Sequence, residues 1–443
     1  MKRGAAILLA LALAAPAQEK APQPTLGSTT VEVLRARLRL WFAARAAREA
    51  ERQPESRPLR RVDEVAAQRA FLAEWRRQGG DQLLASAADL QAIFAGAFHE
   101  PLAELPASLH GEDAAVFVPA GYDPDLAHRT VLVLHTVSEP ARAAGEHSDY
   151  FARTWEASGV AADSIFVLPT LPQELELDPP GGSLLTEAPD REVQRNTAAF
   201  QALFGRVHGQ LHLDLDRLIL DCGPGTCGLG LRLAAHFPSR FAAVILREPV
   251  EVPGLRLRSL TGLPVALLAD VRTREACESL QLALDELQPG SCRIIEGFGG
   301  LASGSEGREA LQQFVLQARR QLARPQVVLE PNRDEWQKGY WLALSGCTPI
   351  TAAGDATGPW AEAEADRIAN RITVLCQGVG ELTFQLDDRL VDLERPITFV
   401  INGVAHVERR QRSLWHLCEQ VFKLRDPTLL FTTAVTLAVP ERR

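Results

Sequence analysis

The stretch Asp214-Leu-Asp-Arg217-Leu-Ile-Leu220-Asp-Cys222-Gly223-Pro224-Gly225-Thr226-Cys227-Gly228 decides the fold. Its first half holds a short, β-rich apolar run, Leu218-Ile-Leu220. Its second half is Gly-rich, and a helical pattern follows at about 228–237. This strand, turn and helix is repeated on both sides. Apolar runs recur at Ala115-Val-Phe-Val118, Thr130-Val-Leu-Val-Leu134, Ile165-Phe-Val-Leu168, Ala243-Val-Ile-Leu246, Val265-Ala-Leu-Leu268 and Arg293-Ile-Ile295. Helical stretches fall between them at about 147–158, 190–209, 274–287 and 306–321. Strands that are apolar throughout, alternating with helices, predict a mostly parallel sheet covered by helices on both faces.

The chain around this core has 443 residues, 46% hydrophobic and 23% charged, with a net charge of −9. These values exclude a disordered, collagen-like or small disulfide-stapled protein. The acidic balance argues against a nucleic-acid partner, which would call for a basic stripe. Met1-Lys2-Arg3, the uncharged run Gly4 to Ala15 and the small-residue site Ala15-Pro16-Ala17 read as a signal peptide over residues 1–17, cleaved near Ala17. The expectation is an exported protein, bacterial by the style of its signal and with no transmembrane span. A Pro-rich linker follows over residues 18–27.

Residues 28–112 form a helical N-terminal region, with Val31, Leu34, Leu38 and Phe42 spaced as one helix face. Residues 325–443 read as a small antiparallel β-rich domain. There Arg371-Ile-Thr-Val-Leu375 and Glu381-Leu-Thr-Phe-Gln-Leu386 alternate, and Ile397-Thr-Phe-Val-Ile401 runs into the type I′ turn signal Asn402-Gly403. A helix is expected at about 412–423 and a last strand at 430–439.

Residues 113–322 resemble the α/β-hydrolase fold, in its secreted esterase and prolyl-peptidase-like branch. Asp214-Leu-Asp-Arg217-Leu-Ile-Leu220 resembles the strand before that family's nucleophile elbow. Leu233-Ala-Ala-His-Phe-Pro238 and Phe241-Ala-Ala-Val244 resemble the helix and strand after it. Thr130-Val-Leu-Val-Leu-His135 resembles the strand that leads to the oxyanion loop. The C-terminal region, with Tyr340-Trp-Leu342, Asn370-Arg-Ile372 and Val400-Ile-Asn-Gly403, resembles a β-rich appendage of secreted bacterial hydrolases.

The resemblance implies a nucleophile at a sharp turn with small neighbours. Spacing from Arg217 and from Pro238 both place it at Pro224, within the small residues Cys222, Gly223, Gly225, Thr226 and Cys227. A one-residue slip places it at Gly225, and neither residue has a nucleophilic atom. The base implied after the last strand falls in Glu296-Gly-Phe-Gly-Gly300, at Gly300. The nearest carboxylate for the acid is Asp270, which also reads as a loop or helix-capping residue. The oxyanion loop, Gly-rich in active relatives, reads His135-Thr136-Val137.

The expectation is therefore an exported, catalytically degenerate protein that binds or scaffolds. It would hold a small molecule or peptide in the former substrate cleft. The alternative is an ester or peptide hydrolase with a displaced or thiol nucleophile, Cys227, with His135, His147 or His208 as base. A further alternative is an interaction protein that works through its terminal regions. Cys227 also reads as a small residue packing the turn, or as half of a Cys222–Cys227 disulfide. No cofactor and no metal site is expected. His208-Gly-Gln-Leu-His212 lacks a glutamate between its histidines and reads as a surface pair. His147-Ser-Asp149 reads as a helix N-cap. Trp336, Tyr340 and Trp341 read as an aromatic seam between domains.

Overall fold

The computed structural model describes residues 24–51, 63–99, 114–172, 203, 205–249, 255–332, 337–349 and 358–440. The signal peptide, most of the linker, most of the helical stretch expected at 190–209 and Trp336 lie outside the described residues.

The middle of the chain builds an eight-stranded sheet. Its strands are β1 (Ala114–Phe117), β2 (His128–Leu134), β4 (Ser164–Pro169), β6 (Leu213–Cys222), β7 (Ala243–Arg247), β8 (Val265–Ala269), β9 (Cys292–Phe298) and β10 (Leu301–Ala302). They lie in the order β1-β4-β2-β6-β7-β8-β9-β10. Neighbours from β4 to β9 run parallel, whereas β1 and β10 pair antiparallel at the two edges. Two further short strands, β3 (Thr136–Val137) and β5 (Leu171–Pro172), pair with each other in parallel.

Alternation along each strand sends side chains into two separate cores. Leu132, Leu220, Leu246 and Leu267 enter one, together with Leu233 of helix α5 (Cys227–His236) and Leu284 of helix α6 (Arg274–Leu287). Val133, Ile219, Ile245 and Leu268 enter the other. That second core is covered by Tyr150 of helix α4 (Ala143–Phe151), by Trp155 of the π-helical turn Ala152–Glu156, and by Phe314 of helix α7 (Gly304–Gln317). The expected doubly covered, mostly parallel sheet is the observed one.

The N-terminal region forms helices α1 (Ser28–Glu51), α2 (Glu64–Arg77) and α3 (Ala87–Phe94). Their apolar faces do not close on themselves alone. Trp41, Phe42, Phe71 and Trp75 share a core with Leu417, Val421 and Phe422 of helix α8 (Leu414–Leu424). Arg45 of α1 donates two hydrogen bonds to the Glu419 carboxylate of α8.

The C-terminal domain is a sandwich of two sheets around one core. One sheet holds β11 (Gln326–Leu329), β14 (Trp360–Asp366), β15 (Arg371–Gln377), β17 (Ile397–Ile401) and β18 (Val404–Glu408). The other holds β12 (Lys338–Gly339), β13 (Leu342–Ser345), β16 (Glu381–Leu386) and β19 (Thr433–Ala438). One pairing departs from the antiparallel expectation, because β15 and β17 run parallel. The reason is that β16 crosses to the opposite sheet, and the chain returns in the direction of β15. Asn402 and Gly403, at φ 48° and 86°, make the expected I′ turn between β17 and β18.

Of the expected seam, Tyr340 bridges to the middle region, whereas Trp341 is buried in the sandwich core. The Tyr340 hydroxyl donates to the Pro238 carbonyl at 2.9 Å, and Trp341 Nε1 donates to the Arg324 carbonyl at 2.7 Å. A buried ionic knot completes the junction. Arg320 donates to Asp426 at 2.9 and 3.2 Å and to Asp216 of β6 at 3.2 Å. Burial alone would raise the Asp426 pKa, but Arg320 and Arg240 hold it well below the usual carboxylate range. Replacing Asp426 by alanine leaves Arg320 buried and half-compensated. The expected cost is about 3–5 kcal/mol, read as a lower denaturant midpoint. A midpoint within error of the unaltered protein would show that the knot does not hold the junction.

Candidate ligand cleft at the strand-to-helix turn

The turn after β6 is fixed by the chain end of β2. Gly223 N–H donates to the Leu134 carbonyl at 2.7 Å, and the buried Thr226 hydroxyl donates to the same carbonyl at 2.8 Å. The chain reverses from strand to helix through Gly225, at φ 82°. Of the two nucleophile registers, only Gly225 has the left-handed backbone, and a Cβ there meets nothing within 4 Å.

Cys227 begins α5 and is 1% exposed. Its Sγ lies 3.3 Å from the Arg247 carbonyl and 3.6 Å from that of Gly223, which is the arrangement of a thiol packing the turn. Cys222 and Cys227 are not joined in a disulfide.

Under the turn lies a charged pair that the sequence reading did not single out. Asp221 and Arg247 end adjacent parallel strands and share the face that looks toward Trp155. Arg247 Nε and Nη2 donate to the two Asp221 oxygens at 2.7 and 3.1 Å. Trp155 Nε1 donates to Asp221 Oδ2 at 2.8 Å, and Arg247 Nη1 donates to the Gly300 carbonyl at 2.7 Å. Burial opposes the Arg247 charge, but Asp221 raises its pKa above the ordinary value. A signal was available: an Asp and an Arg each end an otherwise apolar strand run.

Gly300 sits where the resemblance implies the base. It is the second residue of a two-residue hairpin, Gly299-Gly300, between β9 and β10. Both glycines have positive φ, 58° and 76°, as a type I′ turn requires. Gly300 N–H donates to Glu248 Oε1 at 2.7 Å. A Cβ on Gly300 would stand 3.2 Å from Cγ of Pro224. The hairpin therefore rests on the turn, and a side chain at this position would need the left-handed backbone and a shift of a few tenths of an ångström from Pro224.

Asp270 is a turn-capping residue, as its second reading had it. Its Oδ1 accepts from the Arg272 and Thr273 N–H groups at 2.8 and 3.0 Å, and its Oδ2 accepts from Arg272 Nε at 2.9 Å.

His135 and His147 come together, 12 residues apart in sequence. His147 is no N-cap; it lies inside α4 and is 1% exposed. His135 Nδ1 faces the Thr136 carbonyl at 3.1 Å, so it carries the hydrogen. Its Nε2 then accepts from His147 Nδ1 at 2.6 Å, and His147 Nε2 accepts from the Thr170 hydroxyl at 3.2 Å. Burial holds His135 down at about 4, so its ring is neutral at ordinary pH. Tyr150 stacks on His135 with centroids 4.3 Å apart. The Thr136–Val137 segment, compared with an oxyanion loop, is strand β3 paired to β5, as β-branched residues favour.

Above these groups opens a cleft of about 480 Å³. His135, Thr136, Glu146, Asp149, Arg153 and Pro224 line it. The Ser138 amide donates to Glu146 Oε2 at 2.7 Å, and the Ser138 hydroxyl donates to Oε1. These bonds keep the Glu146 pKa below its ordinary value. The cleft thus offers two carboxylates and one guanidinium to a polar ligand. His208 and His212 lie elsewhere and are 4% and 5% exposed, so they are not a surface pair. The N-terminal region covers them: Phe98 packs on His208, and His99 stacks on His212. Among the described residues no cluster of side chains suits a metal ion, and no helix is long and apolar enough to cross a membrane.

Solved structures similar to this chain are esterases and a dienelactone hydrolase, proteins of the α/β-hydrolase fold. A thermostable esterase aligns with 46% of this chain at 20% identity and a TM-score of 0.33. This chain spans 59% of that esterase's length. The dienelactone hydrolase of Anabaena variabilis aligns with 47% of this chain and 92% of its own, at 20% identity and a TM-score of 0.31. A propionate-bound esterase from Thermogutta terrifontis aligns with 46% and 85%, at 12% identity and a TM-score of 0.29. No family model and no curated protein sequence matches the chain.

The two glycines should answer differently to substitution. Gly225→Ser places a side chain in open space and should cost about 1–2 kcal/mol, the price of a left-handed backbone. Gly300→His adds contact with the rigid Pro224 ring and should cost about 2–4 kcal/mol. Thermal denaturation of the two variants tests this. Equal midpoints would show that the hairpin moves aside.

Proposed function

We propose that this is an exported α/β-hydrolase-like protein that has lost acyl-transfer chemistry and uses its cleft to hold a small polar molecule or a peptide. The observation that carries this reading is Gly300. The place implied for the general base lies in a tight hairpin, tied to Glu248 and Arg247 and packed on Pro224. The Gly225 position supports the same reading, since the residue at the bend has no reactive atom. The Thr226 hydroxyl is turned to the Leu134 and Gly223 carbonyls, and Cys227 Sγ to those of Gly223 and Arg247. Binding would use Glu146, Asp149 and Arg153 as polar contacts, with His135 as a neutral wall.

Purified mature protein should not hydrolyse p-nitrophenyl acetate or butyrate above the buffer rate. Loss of a triad member costs several orders of magnitude in rate. Turnover that a thiol blocker stops and that disappears in Cys227→Ala would overturn this reading and establish a thiol hydrolase. Export rests on the Met1–Ala17 segment. N-terminal sequencing of protein recovered from the periplasm or medium should begin at Gln18. An intact Met1 on protein retained in the cytoplasm would contradict it.

A further inference from the structure

A second cavity, of about 270 Å³, opens at the other end of β6 from the turn. Leu215 and Leu218 of β6, Leu233 and Phe237 at the end of α5, and Phe241 ahead of β7 make an apolar wall. Its rim is cationic, since Lys423 and Arg425 at the end of α8 line it and are exposed. His208 lines it too, 4% exposed, and its Nε2 has no hydrogen-bond partner. That atom is fully buried, so the polar contacts open to a ligand are those of Lys423 and Arg425 at the rim.

The cations around the cavity divide into two kinds. Arg320 and Arg240 are engaged by Asp426, and Arg320 also by Asp216. Arg425 makes no ion pair among the described residues; its guanidinium lies 5.4 Å from the Phe98 ring centroid and 4.9 Å from that of Phe422. It does so from a left-handed backbone, φ 51°, which a non-Gly residue adopts at a cost. Lys423 reaches Glu419 only at 4.0 Å, and Glu419 is already held by Arg45. His208 and Arg425 both pack against Phe98.

We propose that this cavity binds an amphipathic carboxylate: the apolar body lies along the leucine and phenylalanine wall, and the carboxylate sits at the rim between Arg425 and Lys423. Few convergent polar groups on an apolar wall are the usual make-up of a small-molecule site. The site is independent of the cleft at the turn, and it stands whether or not that cleft is catalytic.

Isothermal titration of the mature protein with sodium decanoate below its micelle concentration tests the proposal. Saturable one-to-one binding is expected, at least about tenfold tighter than for decan-1-ol, because a charge-assisted contact is lost in the alcohol. Decyltrimethylammonium should not bind. The double variant Lys423→Gln, Arg425→Gln changes only exposed side chains and should weaken decanoate about tenfold. Leu215→Trp should fill the cavity and abolish binding; where that variant does not fold, the rim variant decides. No saturable heat, equal binding of alcohol and carboxylate, or unchanged affinity in the rim variant would each overturn the proposal.

Discussion

The Asp221–Arg247 pair is the constraint around which the middle domain is arranged. Strand parity puts both side chains on one face, and parallel pairing puts the strand ends side by side. Burying two charges costs several kcal/mol per ion unless every polar atom finds a partner. Here both Asp221 oxygens accept hydrogen bonds, and the bonds reach Trp155 on one side and Gly300 on the other. Such a pair adds little net stability compared with apolar residues of the same volume. Its effect is geometric, because its bonds tie β6, β7, the Trp155 turn and the Gly299-Gly300 hairpin to one another.

That placement governs the ground above the sheet. The carbonyl of Gly300 is held by Arg247, and its amide by the neighbouring Glu248. Glu248 itself takes a left-handed backbone, φ 55°, to present its carboxylate there. The hairpin is thereby seated on Pro224, and the bend at Gly225 is free only on its outer side. Two features that look separate in sequence, a Gly-Pro-Gly turn and a Gly-Gly turn 76 residues on, are one packed unit.

Much of the fold was legible because apolar strands and helices leave periodic traces. The runs at 130–134, 243–246 and 265–268 lie inside β2, β7 and β8, and the helix at 274–287 is where its pattern lay. The elbow was legible as a turn, and both of its registers were in view. What stayed hidden depended on three-dimensional neighbours. Asp221 and Arg247 looked like strand-end charges until parity placed them on a buried face. Glu296-Gly-Phe-Gly-Gly300 carries the implied base position by resemblance alone, although Gly-Gly is itself a hairpin signal. His208 and His212 looked exposed because their cover comes from Phe98 and His99, more than 100 residues earlier. The parallel β15–β17 pairing followed from a strand changing sheets, which no local pattern records.

The terminal regions then acquire a physical role that their sequences alone did not suggest. Helix α8 belongs by position to the β-rich domain, yet its apolar face completes the core of the N-terminal helices. The turn that follows it also reaches β6 through the Asp426–Arg320–Asp216 knot. Three regions thus meet at the end of the sheet opposite the elbow. The burial of His208 and the placement of Arg425 on Phe98 both require that meeting, because Phe98 comes from the N-terminal region. An apolar cavity with a cationic rim is what remains where leucines of the sheet, the end of α5 and the end of α8 converge without filling the space between them.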